Sequence, residues 1–270
     1  MTASTVFAAP VRALVRDVPA SYARCLRSDP APVDPERARA QVEAYARALE
    51  ELGVAVDRLP ADEASPDCCF PEDTALVLSA RLAVLARPGA PSRRGEVAPV
   101  AGALRARLPR VVALDDAAAT LDGGDVLRLG QRLFVGLSAR TNLAGAAALA
   151  RAAAEEGLSV VEVPVAAGLH LKSAVTAWAP GRLVVLAGAL DLAPLRAAGA
   201  ECLETDEPAG GNVLALGGVV LVSRAAPRTA DLLARRGVTV RPVEVGELHK
   251  GDGALTCLSL RIPPPGAWCA

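Results

Sequence analysis

The sequence predicts an α/β protein: one closed, propeller-like assembly with pseudo-fivefold repetition, occupying residues 1–270 as a single domain. Three observations carry that expectation. A helix–strand–hairpin order returns about five times, and the segments leading into the hairpins, near Glu72, Gly124, Lys172, Gly211 and Thr256, recur at about 40–50 residues, a period typical of repeat architectures. Five such units in 270 residues are too short to be separate domains, so they share one assembly. Every unit also carries a hairpin, which requires antiparallel pairing; an open doubly wound sheet would not repeat in that way.

Ala13 to Val18 reads as a first strand, closed by Pro19. Asp34 sits where an N-cap belongs, Pro35 takes the first helical position, and Val42, Tyr45, Ala46 and Leu49 recur at helical spacing up to Gly53. Val54 to Leu59 is the next strand, and Thr74 to Leu78 pairs with Leu82 to Ala86 through Ser79-Ala80-Arg81. The order then repeats as helix Gly95 to Leu108, strand Val111 to Leu114 and the hairpin from Asp125 to Val135. It repeats again as helix Asn142 to Glu156, strand Ser159 to Val165 and a hairpin through Ala179 to Arg182. Helix Ala193 to Ala198 leads to Cys202-Leu203 and a hairpin from Asn212 to Val222 that turns at Gly217-Gly218. Helix Ala230 to Arg236 and strand Val238 to Val243 precede a last strand-like run, Ala254 to Ile262, entered from the loop Gly251-Asp252-Gly253.

Composition narrows the function classes. With 52% hydrophobic and 22% charged residues the chain has the means to build an Ala/Val/Leu core and is not a disordered segment. A net charge of −1, with no basic run beyond Arg93-Arg94 and Arg235-Arg236, argues against nucleic acid as partner. No GxGxxG turn or Walker loop supports nucleotide binding. Apolar runs such as Leu183 to Leu190 are too short to span a bilayer, and Met1 to Pro10 lacks the basic and apolar regions of a secretory signal. The six cysteines show neither a CxxC pair nor disulfide-dense spacing, so free thiols in a reducing cytoplasm are expected. Cys68-Cys69 has no third ligand at zinc spacing, and no metal is expected.

The chemistry is expected around Cys257, at the junction of the glycine-containing loop and the apolar run. A lone cysteine there also fits a small buried hydrophobe. His170, one of two histidines, occupies a similar setting, and a Cys and a His far apart in sequence are the parts of a thiol catalyst. The other histidine, His249, reads as a loop residue. Polar clusters precede four of the five hairpins: Asp67 with Glu72-Asp73, Asp122 with Asp125, His170 with Lys172, and Asp252 with Cys257. Each alone fits a turn cap, but in a closed array they converge and make an acidic pocket suited to a planar cation such as a guanidinium. Arg93 and Arg140 are either solvated or forks for a substrate carboxylate.

Seven segments, Leu59-Pro-Ala-Asp-Glu63, Asp67-Cys-Cys-Phe-Pro-Glu-Asp73, Arg87-Pro-Gly-Ala-Pro-Ser-Arg-Arg94, Thr120-Leu-Asp-Gly-Gly-Asp-Val126, Phe134-Val-Gly-Leu-Ser-Ala-Arg-Thr-Asn142, Gly168-Leu-His-Leu-Lys-Ser173 and Asp252-Gly-Ala-Leu-Thr-Cys257, closely resemble the dimethylarginine dimethylaminohydrolase family. The resemblance spans nearly the whole chain and implies the pentein fold of the guanidine-modifying enzymes. It implies Cys257 as nucleophile, His170 as general acid/base and Asp122 as the carboxylate orienting it. It also implies Glu72 and Asp73 on the guanidinium, Asp67 and the carbonyl near Val18 on the α-amine, and Arg93 and Arg140 on the carboxylate, with Phe70 and Gly251 on the pocket wall. Gly251 and Val18 depart from the family's usual larger aliphatic and leucine. The implied substrate is a small molecule, a methylated arginine, converted without cofactor, with a homodimer as the candidate assembly. Deiminase-like release of ammonia from arginine, and a non-catalytic arginine-binding protein, are the alternatives.

Overall fold

The Asp34-Pro35 signal starts a helix as expected: α1 spans Pro35–Glu51, and the Asp34 side chain accepts from the N–H groups of Glu36 and Arg37 at 3.0 and 3.2 Å. That helix joins strand β1 (Arg12–Arg16) to β2 (Ala55–Leu59), which lie parallel and adjacent. The structure, a computed structural model, describes residues 7, 9–166 and 168–267. Cys269 and most of the Met1 to Pro10 stretch lie outside them.

The same plan is met four more times. β3 (Ala75–Val77) and β4 (Leu82–Leu85) form a hairpin, and α2 (Val97–Arg105) returns the chain to β5 (Arg110–Ala113), parallel to β4. β6 (Val126–Leu129), β7 (Arg132–Leu137), α3 (Leu143–Ala153) and β8 (Ser159–Pro164) follow the same path. A one-turn helix α4 (Leu171–Ala174) leads into β9 (Val175–Ala179) and β10 (Arg182–Leu186), and α5 (Ala193–Ala197) leads to β11 (Glu201–Thr205). Then come β12 (Leu214–Leu216), β13 (Val219–Ser223), α6 (Pro227–Ala234) and β14 (Thr239–Val243). After α7 (Gly246–His249), β15 (Leu260–Ile262) pairs antiparallel with β1 and supplies the missing hairpin partner of the first unit. The result is five separate three-stranded sheets, each with a hairpin and a parallel crossover.

Apolar side chains fill the space between each sheet and its helix. Tyr45 and Leu49 of α1 pack with Ala13 and Val15 of β1, Val100 and Leu104 of α2 with Ala83 and Leu85 of β4, and Ala146 and Leu149 of α3 with Leu133 and Val135 of β7. The core lies between each sheet, its helix and the neighbouring sheet, and the lead-in segments contact one another. All five are short helical turns: Pro71–Thr74, Gly123–Asp125, Leu171–Ala174, Pro208–Gly211 and Thr256–Leu258.

Three expectations shift. The helix expected from Gly95 begins as a 3₁₀ turn over Pro91–Glu96, and the one expected from Ala230 begins at Pro227, because each proline is accommodated in a first turn. The run from Ala254 to Ile262 is strand only in its last three residues. Cys257 sits instead in the turn Thr256–Leu258, because the backbone N–H of Thr256 is drawn sideways to Asn212 Oδ1 at 3.1 Å.

Candidate active site

Nine of the eleven residues expected at the site line one pocket: Asp67, Phe70, Asp73, Arg93, Asp122, Arg140, His170, Gly251 and Cys257. The thiol of Cys257 is half-buried. Burial, and then the negative charges of Glu72 and Asp73, push it up to about 12, so the resting sulfur is protonated at neutral pH. His170 is buried, with Nε2 3.0 Å from Asp122 Oδ2. A carboxylate only accepts, so Nε2 carries the proton and Nδ1 is left facing Asp73 Oδ1 at 4.0 Å. Asp122 is itself fixed by the N–H of Gly89 on Oδ1 at 2.8 Å. Burial pulls the imidazole down, but Asp73, the bond to Asp122 and the charge of Asp125 outweigh it, and the net shift is upward.

The turn Gly123–Asp125 makes this approach possible. A Cβ on Gly124 would meet His170 Nδ1 at 2.6 Å and Asp73 Oδ1 at 2.8 Å. Asp73 takes the Gly124 N–H on Oδ1 at 2.9 Å and Arg93 Nη1 on Oδ2 at 2.6 Å. Burial would raise its pKa; the positive charges of His170 and Arg93 reverse that and hold it below the usual carboxylate range. Asp67 differs, its pKa raised by burial although Arg93 and the N–H of Leu26 oppose the rise. Asp73, Asp122 and His170 each place one ligand atom within 4.8 Å of the others, the metal-capable grouping among the described residues. Within that grouping His170 and Asp122 are hydrogen-bonded to each other.

A family profile described as N,N dimethylarginine dimethylhydrolase, eukaryotic, matches residues 26–206. The N(G),N(G)-dimethylarginine dimethylaminohydrolase of Streptomyces coelicolor is 42% identical over 234 residues, covering 85% of this chain and 88% of that one. This chain belongs to the dimethylarginine dimethylaminohydrolase family. The Pseudomonas aeruginosa member is 32% identical over 85% of this chain and 90% of its own. The structure of that enzyme as a cysteine-to-serine mutant complexed with citrulline superposes with a TM-score of 0.89 at 30% identity, covering 95% of this chain and all (100%) of the other.

Within this family member, two expected site residues are not on the pocket wall. Glu72 points to the other side of its turn, where its carboxylate accepts from Lys172 Nζ at 2.6 Å, Arg261 Nη2 at 2.9 Å and Thr256 Oγ1 at 2.8 Å. Both oxygens accept from these donors, and of the two adjacent carboxylates only Asp73 lines the pocket of Cys257. Val18 is core, and its carbonyl accepts from Arg39 Nε at 3.1 Å. The wall near Asp67 is built by Leu26 instead, whose N–H is held by Asp67 Oδ1 at 3.0 Å. Arg93 is no exposed fork: it is buried, chelated by Glu96 and Asp73, and bonded to the carbonyls of Asp67 and Phe70. Among the described residues the Arg140 guanidinium has no hydrogen-bond partner.

Asp252 lines the pocket as expected. Its backbone is left-handed, with φ of 56°, and its carboxylate takes the N–H and hydroxyl of Ser28, both at 2.7 Å. It ties down the segment bearing Leu26 and leaves its oxygens little capacity for a cation. Gly251 is small because a Cβ there would meet Tyr22 Oη at 2.3 Å; the tyrosine hydroxyl fills the space a larger side chain would need. His249 stays outside the pocket and bonds Ser223 Oγ and the Gly253 carbonyl at 2.8 and 2.9 Å. Sequence reasoning passed over Leu26, Leu169 and Gly253, which also line the pocket. Leu169 is betrayed only by its neighbour His170, and nothing local marks Leu26.

Proposed function

We propose that this protein hydrolyses Nω-methylated arginine to citrulline and a methylamine through a covalent thiouronium on Cys257. The observation that carries the reading is one pocket holding a thiol, an imidazole hydrogen-bonded to a buried carboxylate, and a second buried carboxylate, Asp73. Asp73 receives the substrate guanidinium. Burial and then the charges of Glu72 and Asp73 hold the thiol protonated; the arriving cation offsets those charges, so the thiol gives its proton to solvent and thiolate forms as substrate binds.

The Cys257 thiolate attacks the guanidinium carbon and forms the C–S bond. The C–N bond to the methylated nitrogen breaks as that nitrogen takes a proton from His170, held protonated by Asp73 and Asp122. Water then adds to the same carbon and gives one proton to His170; the C–S bond breaks as the remaining hydroxyl proton passes to sulfur, which releases citrulline and regenerates the Cys257 thiol. Asp122 keeps the imidazole oriented and stabilises its charged form throughout. Asp67 takes the substrate α-amine and Arg140 the α-carboxylate, with Arg93 bracing both Asp67 and Asp73.

A cytoplasmic setting is part of the proposal, supported by the free state of Cys25, Cys68, Cys69, Cys202 and Cys257. No helix among the described residues is long and apolar enough to cross a membrane. Citrulline formation from asymmetric dimethylarginine, with arginine as competing substrate and Cys257→Ser as control, tests the reading. No citrulline at saturating substrate would sink it, and faster release of ammonia from arginine would turn it to deiminase chemistry.

A further inference from the structure

Four lead-in turns bring titratable groups to the centre; the fifth, Pro208–Gly211, is followed by buried, uncharged Asn212. In the repeat register, Glu72-Asp73, Gly124-Asp125, Lys172-Ser173, Gly211-Asn212 and Thr256-Cys257 are equivalent pairs, and Gly123-Gly124-Asp125-Val126-Leu127 matches Gly210-Gly211-Asn212-Val213-Leu214 almost residue for residue. In three of these pairs the second side chain reaches the next turn of the ring and takes a backbone N–H. Asp73 Oδ1 holds Gly124 N at 2.9 Å, Asp125 Oδ1 holds Leu171 N at 2.9 Å, and Asn212 Oδ1 holds Thr256 N at 3.1 Å. Leu171 directly follows His170, and Thr256 directly precedes Cys257.

Asn212 reaches further than its counterparts. Its Nδ2 donates to the carbonyl of Lys172 at 2.8 Å and to Thr256 Oγ1 at 3.0 Å, and that hydroxyl donates onward to Glu72 Oε2 at 2.8 Å. One amide thus joins the turn after His170 to the turn that carries Cys257. We propose that Asn212 is a positioning residue that fixes Cys257 against His170, the uncharged counterpart of Asp125 on the histidine turn. This rests on Cys257 as nucleophile and His170 as acid/base. An amide fits where a carboxylate does not: a carboxylate would accept from Thr256 N–H but would face the Lys172 carbonyl and add negative charge beside Glu72. Ala at this position leaves the Lys172 carbonyl and the Thr256 N–H without their partner.

The test compares wild-type protein with Asn212→Ala, reading folded state, kcat, KM and the rate at which 2-chloroacetamidine labels Cys257. In the labelling the Cys257 thiolate displaces chloride, so a C–S bond forms and a C–Cl bond breaks, without need of dimethylarginine. The expected result is an intact fold, KM within about threefold, and kcat and labelling rate both lowered about 10²-fold, the scale of an ångström-size misplacement. Wild-type kcat and labelling rate in Asn212→Ala overturn the proposal alone. Absence of label on Cys257 in the wild-type protein overturns the nucleophile assignment, and this proposal with it. If Asn212→Ala does not fold, Asn212→Ser takes its place; loss of fold in both makes Asn212 a residue of the framework and also overturns the proposal.

Discussion

Two cavities meet at the central turns, and they carry opposite charge. The pocket of Cys257 is lined by Asp67, Asp73, Asp122 and Asp252 against Arg93 and Arg140. The neighbouring cavity is lined by Glu72 against Arg128, Lys172 and Arg261. They share no lining residue, yet neighbours on the same turns serve both: Asp73 and Asp122 face the first, Glu72 and Gly123 the second. On the cation-rich side a carboxylate is saturated by two charged donors and a hydroxyl and acts as a strut. On the acid-rich side Asp73 and Asp122 hold an imidazole, next to a thiol, and there the surplus of negative charge favours a cationic ligand. The larger cavity is the less suited to a guanidinium, because its own cations repel one.

The largest expected effect tests the acidic side. Cys257→Ala and His170→Ala should each cut turnover by at least about 10³-fold with the fold intact, read by citrulline release and circular dichroism. Turnover surviving in Cys257→Ala would end the covalent route. Next, the adjacent carboxylates should separate by readout. Asp73→Asn should lower kcat/KM by about 10²-fold or more. Glu72→Ala should leave Lys172, whose side chain is 12% exposed, without its carboxylate and remove the acidic partner of Arg261, costing about 3 kcal/mol in a urea titration. A Glu72→Ala protein with an unchanged urea midpoint would break the division between strut and site.

Smaller effects sharpen the same contrast. Arg140→Ala should raise KM about tenfold while kcat and stability stay nearly constant, because a carboxylate contact binds ground and transition states alike. A fall in kcat at constant KM would place Arg140 nearer the chemistry. Last, the two histidines should titrate on opposite sides of the ordinary value of 6.5 in proton NMR, His170 above and His249 below. The signs for stability are also opposite. His170 contributes below its unfolded pKa and loses that contribution as pH rises through its folded value. His249, pushed down by burial, contributes above 6.5 and loses it as pH falls. Asp73→Asn should bring the His170 titration down and leave His249 in place.

Much of the fold was legible because its signals are local. Asp34-Pro35 marks a helix start wherever the helix later packs, and glycine turns and apolar runs announce each hairpin at a regular spacing. The pairing of β15 with β1 was not legible, since no local pattern links Leu260 to Leu14. Site residues divide the same way. Cys257, His170, Asp122 and Asp73 were found as reactive types in repeated settings. Glu72 was expected beside Asp73 but lines the neighbouring cavity, because adjacent residues in a 3₁₀ turn point about 120° apart and two neighbouring carboxylates face different ways. Leu26 was not legible because a loop's path is set by distant partners, here Asp67 and Asp252 holding the backbone of Leu26 and Ser28.

The unit that carries Cys257 is also the one assembled from both ends of the ring: β1 and β2 near the start, β15 near the finish. During synthesis β1 must wait with an open edge until nearly every other unit has emerged. Cys257 therefore enters its place in the same event that shuts the ring. A ribosome that stops before this last stretch yields a chain that holds His170, Asp73 and Asp122 but lacks Cys257 and the loop wall beside it.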